Sequence, residues 1–380
     1  MNLFSGFLFF YALVLLLIPA AVLGLMGKRL KWYGFAVTLA FTVMVFSTTP
    51  GKAVFIVGFY LLQLLLVKSF LALKGNTAEK AQPWLLALFV LLSVSPIILA
   101  KLSGLLGLHL EFLGVSYMTF RAVQLLIEIR DGFTTEVKLV DFTYFLLFFP
   151  SVSSGPVDRY RRFLGDINSV QTKEEYFESL QAGVRRLFTG ALYNFVIAGL
   201  LQQYVLAKLP ETFLGNWGYM YGYTLFLFFN FAGYSKMAIG AGYILGVRMP
   251  ENFNMPFLSH DLKDFWARWH ISLSTWLRDY VYTRFVREAL RKKWFKDRHT
   301  GSYIGYVLTM MTMGVWHGLD ARYLFYGAYH GLLMCLNDVL DNKWKRFKKL
   351  KKDPVWEPVL VLITFHIVSF GLLVFSGRIF

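Results

Sequence analysis

The chain has 380 residues, of which 56% are hydrophobic and 16% charged, with a formal net charge of +16 and a mean hydropathy of +0.50. Soluble domains carry about a quarter of their residues as charges, so this composition excludes an ordinary soluble fold. The single cysteine, Cys335, excludes an intramolecular disulfide.

A bilayer core asks for ~20 consecutive apolar residues. Stretches approaching that length lie at 3–26, 32–48, 52–73, 84–100, 187–209, 219–235, 302–318, 322–340 and 356–376. Segments 112–130, 141–150, 236–247 and 262–283 are shorter or more polar. They read as tilted, broken or re-entrant helices, which membranes tolerate only under cover of protein or beside a water-filled cavity. The expected fold class is an all-α polytopic membrane protein forming one domain over residues 1–380. The first segment is expected to remain in the mature chain. It lacks a basic leader, exceeds a signal core in length, and has no small-residue cleavage site before Gly27-Lys28-Arg29.

The positive charge is not spread as nucleic acid would require, and no nucleic-acid partner is expected. It gathers at segment ends: Lys28, Arg29 and Lys31; Arg159, Arg161 and Arg162; Arg291 to Arg298; Lys343 to Lys352. The positive-inside rule puts such loops in the cytoplasm. The N-terminus is then expected outside, with 27–31, 286–301 and 341–355 inside and the last span ending outside. Basic clusters beside spans attract anionic membrane lipids. An acidic cytoplasmic partner is the other reading, and its best surface is 284–301, with Arg284, Arg287, Arg291, Lys292, Lys293 and Lys296.

Taken in chain order, five blocks break the apolar pattern. Phe112-Leu-Gly-Val-Ser-Tyr117-Met-Thr-Phe-Arg121 brings hydroxyls and a cation into apolar surroundings, and Glu128 at helical spacing is the expected partner of Arg121. Phe148-Phe-Pro-Ser-Val-Ser-Ser-Gly-Pro-Val-Asp-Arg-Tyr-Arg-Arg-Phe163 reads as a helix stop followed by a basic turn. In Asp264-Phe-Trp-Ala-Arg-Trp-His-Ile-Ser-Leu-Ser-Thr-Trp-Leu-Arg-Asp-Tyr280, a continuous helix would align Trp266, His270 and Ser274 on one face. Asp264 and Asp279 would then pair Arg268 and Arg278. An interfacial helix with belt tryptophans and snorkelling arginines accounts for much of this block, though less well for its histidine.

The fourth block is Gly314-Val-Trp316-His317-Gly318, at the end of an uncharged run. From the basic segment its helix travels ~24 Å, so His317 is expected well across the membrane, toward the outer half. Ionisable groups at that depth line cavities, do chemistry, or are satisfied by neighbouring helices. The fifth block, Gly327-Ala-Tyr-His330-Gly331, sets small residues four apart, a close-packing pattern. His330 is expected to be structural or a cavity wall.

Phosphate loops, nucleophile elbows, His-Glu-x-x-His and metal-ligand spacings are absent from the sequence, so no metal is expected. The polar investment centres on two histidines, and histidine suits proton removal from a hydroxyl near neutral pH.

The pairing of Phe265-Trp-x-Arg-Trp-His-Ile-Ser-Leu-Ser-x-Trp-Leu-Arg-Asp-Tyr with Gly314-Val-Trp-His-Gly, followed by Tyr-Gly-x-x-His-Gly, resembles the membrane-bound O-acyltransferase family. Within it, the Phe149–Phe163 run, Phe231-Ala-Gly-Tyr-Ser-Lys-Met-Ala-Ile-Gly and Asn252-Phe-Asn-Met-Pro-Phe are most similar to the branch that D-alanylates teichoic acids. The resemblance covers most of the chain and is weakest over 30–100 and the C-terminal span. It implies about eleven spans in a ring around a central tunnel or funnel, in a Gram-positive-type plasma membrane. His317 matches the family's invariant histidine. His270 matches a second polar site that is asparagine, aspartate or histidine in different branches.

The implied donor is a D-alanyl thioester on the phosphopantetheine arm of an acidic cytoplasmic carrier protein. That arm would be a co-substrate, with no cofactor held covalently. The implied acceptor is an outer hydroxyl, ultimately on lipoteichoic acid, with other D-alanylation membrane proteins as partners. His317 would be the general base and His270 would orient the thioester. Trp316, Ser274, Arg268, Arg278, Asp279, Tyr117, Arg121 and His330 would line or support the path. An O-acetyltransferase of an envelope polysaccharide or peptidoglycan would keep both histidines, and a transporter is the third reading.

Overall fold

The computed structural model describes residues 7–47, 50–74, 82–105, 114–351 and 353–379. Residues 3–6 and 48 of the expected spans, Phe112, Leu113 and Lys352 lie outside them. The described residues are helical throughout their regular structure, apart from one isolated bridge between Phe253 and Trp269. They group into two compact units, Met1–Ala191 with Tyr234–Pro250, and Leu192–Gly233 with Glu251–Phe380. Among them, Leu8–Leu25, Gly51–Lys74, Pro83–Ser103, Lys173–Lys208 and Glu357–Ser376 have both the length and the apolarity to cross a membrane.

The first unit holds α1 (Phe7–Leu25), α2 (Lys31–Ser47), α3 (Pro50–Lys74), α4 (Pro83–Leu105), α5 (Val115–Arg130), α6 (Leu139–Leu147), α7 (Tyr160–Asn168) and α8 (Lys173–Ala191). The outward face of α1 carries exposed Leu8, Tyr11, Leu15 and Ile18, as lipid-facing helices do. By contrast α5 is buried nearly all round. Arg121, on α5, does not pair with Glu128 as its spacing suggests. Helix α6 ends just before Pro150, which cannot continue it, and leaves carbonyls without intrahelical donors. The Arg121 guanidinium fills that role, donating to Phe145 O at 2.8 Å, Leu146 O at 3.0 Å, Ser151 O at 2.8 Å and the Ser151 hydroxyl. Glu128 instead accepts from Gln124 at 3.0 Å. The turn after Pro150 folds back so closely that a Cβ on Gly155 would lie 2.6 Å from Ser151 Cα.

Helix α8 runs on through π-helical stretches Leu192–Ile197 and Leu201–Val205, on either side of the single turn α9 (Ala198–Leu200). The expected break near residue 236 is absent, because α10 (Phe213–Ile244) is one helix of 32 residues. No proline interrupts it. Its C-terminal part packs on α8, where a Cβ on Gly240 would meet Gly183 O at 2.6 Å.

The second unit continues with α11 (Leu262–Arg268), α12 (Ile271–Leu277), a π-helical turn (Arg278–Tyr282), α13 (Thr283–Arg291), α14 (Arg298–His317), α15 (Ala321–Lys343), α16 (Lys345–Leu350) and α17 (Glu357–Ser376). Helices α14 and α15 form a tight antiparallel hairpin through the expected small residues. A Cβ on Gly327 would lie 2.7 Å from Met310 O, and one on Gly331 would lie 3.0 Å from Val307 Cα. The start of α11 is fastened to α15. Leu262 N donates to Asn337 Oδ1 at 3.1 Å, and Lys263 pairs with Asp338 and, at 3.4 Å, Asp341. Lys351 bridges Asp341 and Asp261, the residue that caps α11 by accepting Asp264 N–H at 2.9 Å.

Candidate active site

His317 is the last residue of α14, which at 1.5 Å per residue carries it ~30 Å from the basic segment where the helix begins. The half-buried imidazole sits among rings. Trp316 lies 4.4 Å away by centroids, Phe375 meets it edge-on at 4.8 Å, Tyr323 stacks at 6.0 Å, and Tyr326 stands edge-on at 6.4 Å. These rings screen the half-buried imidazole from part of the solvent.

His270 is brought to the same group. Its ring lies 6.3 Å from Trp316 and meets Phe231 edge-on at 4.7 Å. It is 5% exposed, and its Nε2 has no hydrogen-bond partner. The helix expected to run through it is broken. His270 has a left-handed backbone, φ 45° and ψ 49°, at the joint between α11 and α12. Trp266, His270 and Ser274 therefore do not form one continuous helical face. The physical reason is a competing strand of loop. Asn254 N donates to Arg268 O at 3.0 Å, Ile271 N donates to Asn252 O at 2.9 Å, and the Phe253–Trp269 bridge lies between these two bonds.

Helix α12, the π-helical turn and α14 enclose a cavity of about 300 Å³ lined by Lys263, Trp266, Ser274, Arg278, Tyr306 and Met313, among others. Met313 is one helical turn before His317. The cavity thus runs beside α14 from Tyr306 to Met313. Its lining is mostly apolar with a few polar groups, as small-molecule sites are.

The remaining expected residues divide. Arg268 pairs with Asp264 at 2.7 Å, as their i,i+4 spacing implied, and Arg278 pairs with its chain neighbour Asp279 at 3.0 Å. His330 is fully buried against the rings of Tyr326, Trp266 and Tyr329, and neither ring nitrogen has a hydrogen-bond partner. Tyr117 and Arg121, both buried, belong to the first unit. On the basic segment, Arg291 and Lys292 share Glu288 at 2.6 and 3.2 Å. Arg287, Arg291, Lys292 and Lys293 are exposed, with Arg284 half-buried.

Sequence reasoning missed Asn252, Phe231, Tyr323 and Phe375 as parts of this site. Asn252 and Phe231 lie inside quoted motifs, so a signal existed without a role. Phe375 lies in an apolar span where one phenylalanine reads like any other.

The family model for "MBOAT, membrane-bound O-acyltransferase family" matches residues 54–376. The chain is 43% identical to a teichoic acid D-alanyltransferase of Bacillus subtilis (strain 168), over 99% of this chain and 98% of that one. It is 37% identical to a teichoic acid D-alanyltransferase of Streptococcus thermophilus, covering 97% and 93%. It is 32% identical to the probable alginate O-acetylase AlgI of Pseudomonas fluorescens, covering 80% of this chain and 59% of that protein.

Proposed function

We propose, for a chain that belongs to the membrane-bound O-acyltransferase family, that it transfers D-alanine across the membrane to a hydroxyl of teichoic acid. The donor in this reading is a D-alanyl thioester on the phosphopantetheine arm of a cytoplasmic carrier protein. The acceptor oxygen adds to the thioester carbonyl carbon while its proton passes to His317. The C–S bond then breaks, and the released thiolate recovers that proton. His270 orients the thioester from behind Trp316. The observation that carries the reading is the cavity beside α14, lined by Tyr306, Thr309, Met310 and Met313, the last of these one turn before His317.

The acidic carrier would dock on the exposed cations of 287–293, and the acceptor, ultimately lipoteichoic acid, would approach from the outer side. This orientation puts the N-terminus outside and the protein in a plasma membrane as one domain over 1–380, working with other D-alanylation membrane proteins. The test is a purified transfer assay with D-alanyl carrier protein. His317→Ala is expected to abolish transfer with normal insertion, and retention of most activity would sink the assignment. The likeness to an alginate O-acetylase favours acetyl transfer as the second reading. Mass spectrometry of the modified polymer separates the two, since D-alanyl and acetyl esters differ in mass.

A further inference from the structure

Helix α12 begins without the help of its own N-terminal residue. His270 occupies the N-cap position, yet its side chain makes no capping hydrogen bond. The first N–H groups of a helix need acceptors, and here a residue eighteen positions upstream supplies them. Asn252 accepts Ile271 N–H with its backbone oxygen at 2.9 Å. Its side-chain Oδ1 accepts Ser272 N–H at 3.3 Å and the Ser272 hydroxyl at 2.6 Å. A backbone N–H can only donate, so the amide orientation is fixed by these contacts. Asn252 is fully buried, and its Nδ2 has no hydrogen-bond partner. The acceptor oxygen alone therefore carries its polar contribution.

We propose that Asn252 is a positioning residue for acyl transfer, capping α12 in place of His270 so that the imidazole is left to the substrate. With both N–H groups already taken, the ring is held against Phe231 and near Trp316. The left-handed backbone at His270 is a sparsely populated state that persists only when its surroundings over-determine it. The Asn252 contacts and the Phe253–Trp269 bridge supply that determination on both sides of the joint. The inference rests on the reading of His270 as a site residue.

The test is a double-mutant cycle on the purified protein in the carrier-dependent transfer assay. Asn252→Ala is expected to lower kcat by about 10- to 100-fold, the scale of a misplacement near 1 Å. The half-saturating concentration of carrier should stay within about twofold of wild type, because docking is untouched. In a His270→Ala background Asn252→Ala should add little, since its effect passes through that ring. Asn252→Asp, which keeps the acceptor oxygen, should recover most of the loss. Should Asn252→Ala not insert, Ser272→Ala removes one of the three bonds and should lower kcat by a few fold in the same non-additive way. Wild-type kcat in Asn252→Ala, or a full loss repeated in the His270→Ala background, would overturn the proposal. Wild-type transfer by His270→Ala itself would instead overturn the role given to His270.

Discussion

The Lys351 ammonium hydrogen-bonds the carboxylate of Asp261, joining the chain after α16 to the cap of the short helix that leads to His270. Burial by itself would push the Asp261 carboxyl up, but Lys351 and the Asp264 N–H hold it below its ordinary 3.8. Burial by itself would push Lys351 down, but Asp261 and Asp341 hold it above its ordinary 10.5.

These opposite displacements define a pH window. The lowered carboxyl contributes stability that is present above 3.8 and lost as pH falls through its folded value. The raised ammonium contributes stability that is present below 10.5 and lost as pH rises through its folded value. Lys351→Met is therefore expected to destabilise the protein by roughly 1 to 3 kcal/mol at neutral pH, the scale of hydrogen bonds to charged groups. In thermal unfolding in detergent, the gap from wild type should be flat across neutral pH and should narrow below 3.8. A gap that widened in acid would contradict the assignment.

Gly327 lies against Met310 with no room for a side chain. Gly327→Val should destabilise the α14–α15 hairpin by about 1 to 3 kcal/mol or more, the usual cost of overpacking. Membrane levels and melting temperature should both fall, with transfer activity reduced in step. A variant that accumulated and melted like wild type would show that the hairpin can open at this point.

His330 offers a contrast with His317. A buried polar ring without partners gains nothing from its nitrogens, and an apolar replacement of similar size can be neutral or stabilising. His330→Leu should keep transfer within about threefold of wild type and melt no earlier. Activity loss comparable with that of His317→Ala would give His330 a chemical role after all.

Arg291 and Lys292 stand exposed on one carboxylate, Glu288. Reversing both to Glu should raise the half-saturating concentration of an acidic carrier several-fold at low ionic strength, with kcat nearly unchanged. The difference should shrink as salt is added, because the Debye length falls to about 10 Å at 0.1 M. Equal carrier affinity at low salt would remove this surface from the docking path.

Much of this was legible in the sequence. The apolar runs 3–26, 52–73, 84–100, 187–209 and 356–376 fall on described helices long and apolar enough to cross a membrane, and the packing of α14 on α15 was visible in the spacing of Gly327 and Gly331. The pair Arg268–Asp264 followed from i,i+4 helical spacing. Two features were not legible, for one shared reason: each depends on acceptors or donors far away in sequence. Arg121 was expected on Glu128 because spacing along a helix reports only local partners, whereas the carbonyls it satisfies come from the end of α6. The 264–280 block has no glycine or proline to mark its break, which is imposed by the loop at 252–254.

The left-handed backbone at His270 also restricts what can stand there. Outside glycine, asparagine, aspartate and histidine are the residues several-fold enriched in that region, while β-branched and bulky apolar residues are strongly disfavoured. The backbone thus admits a short menu of polar side chains before any substrate is considered. Chemistry at this position can diversify only among residues that the same bend will accept.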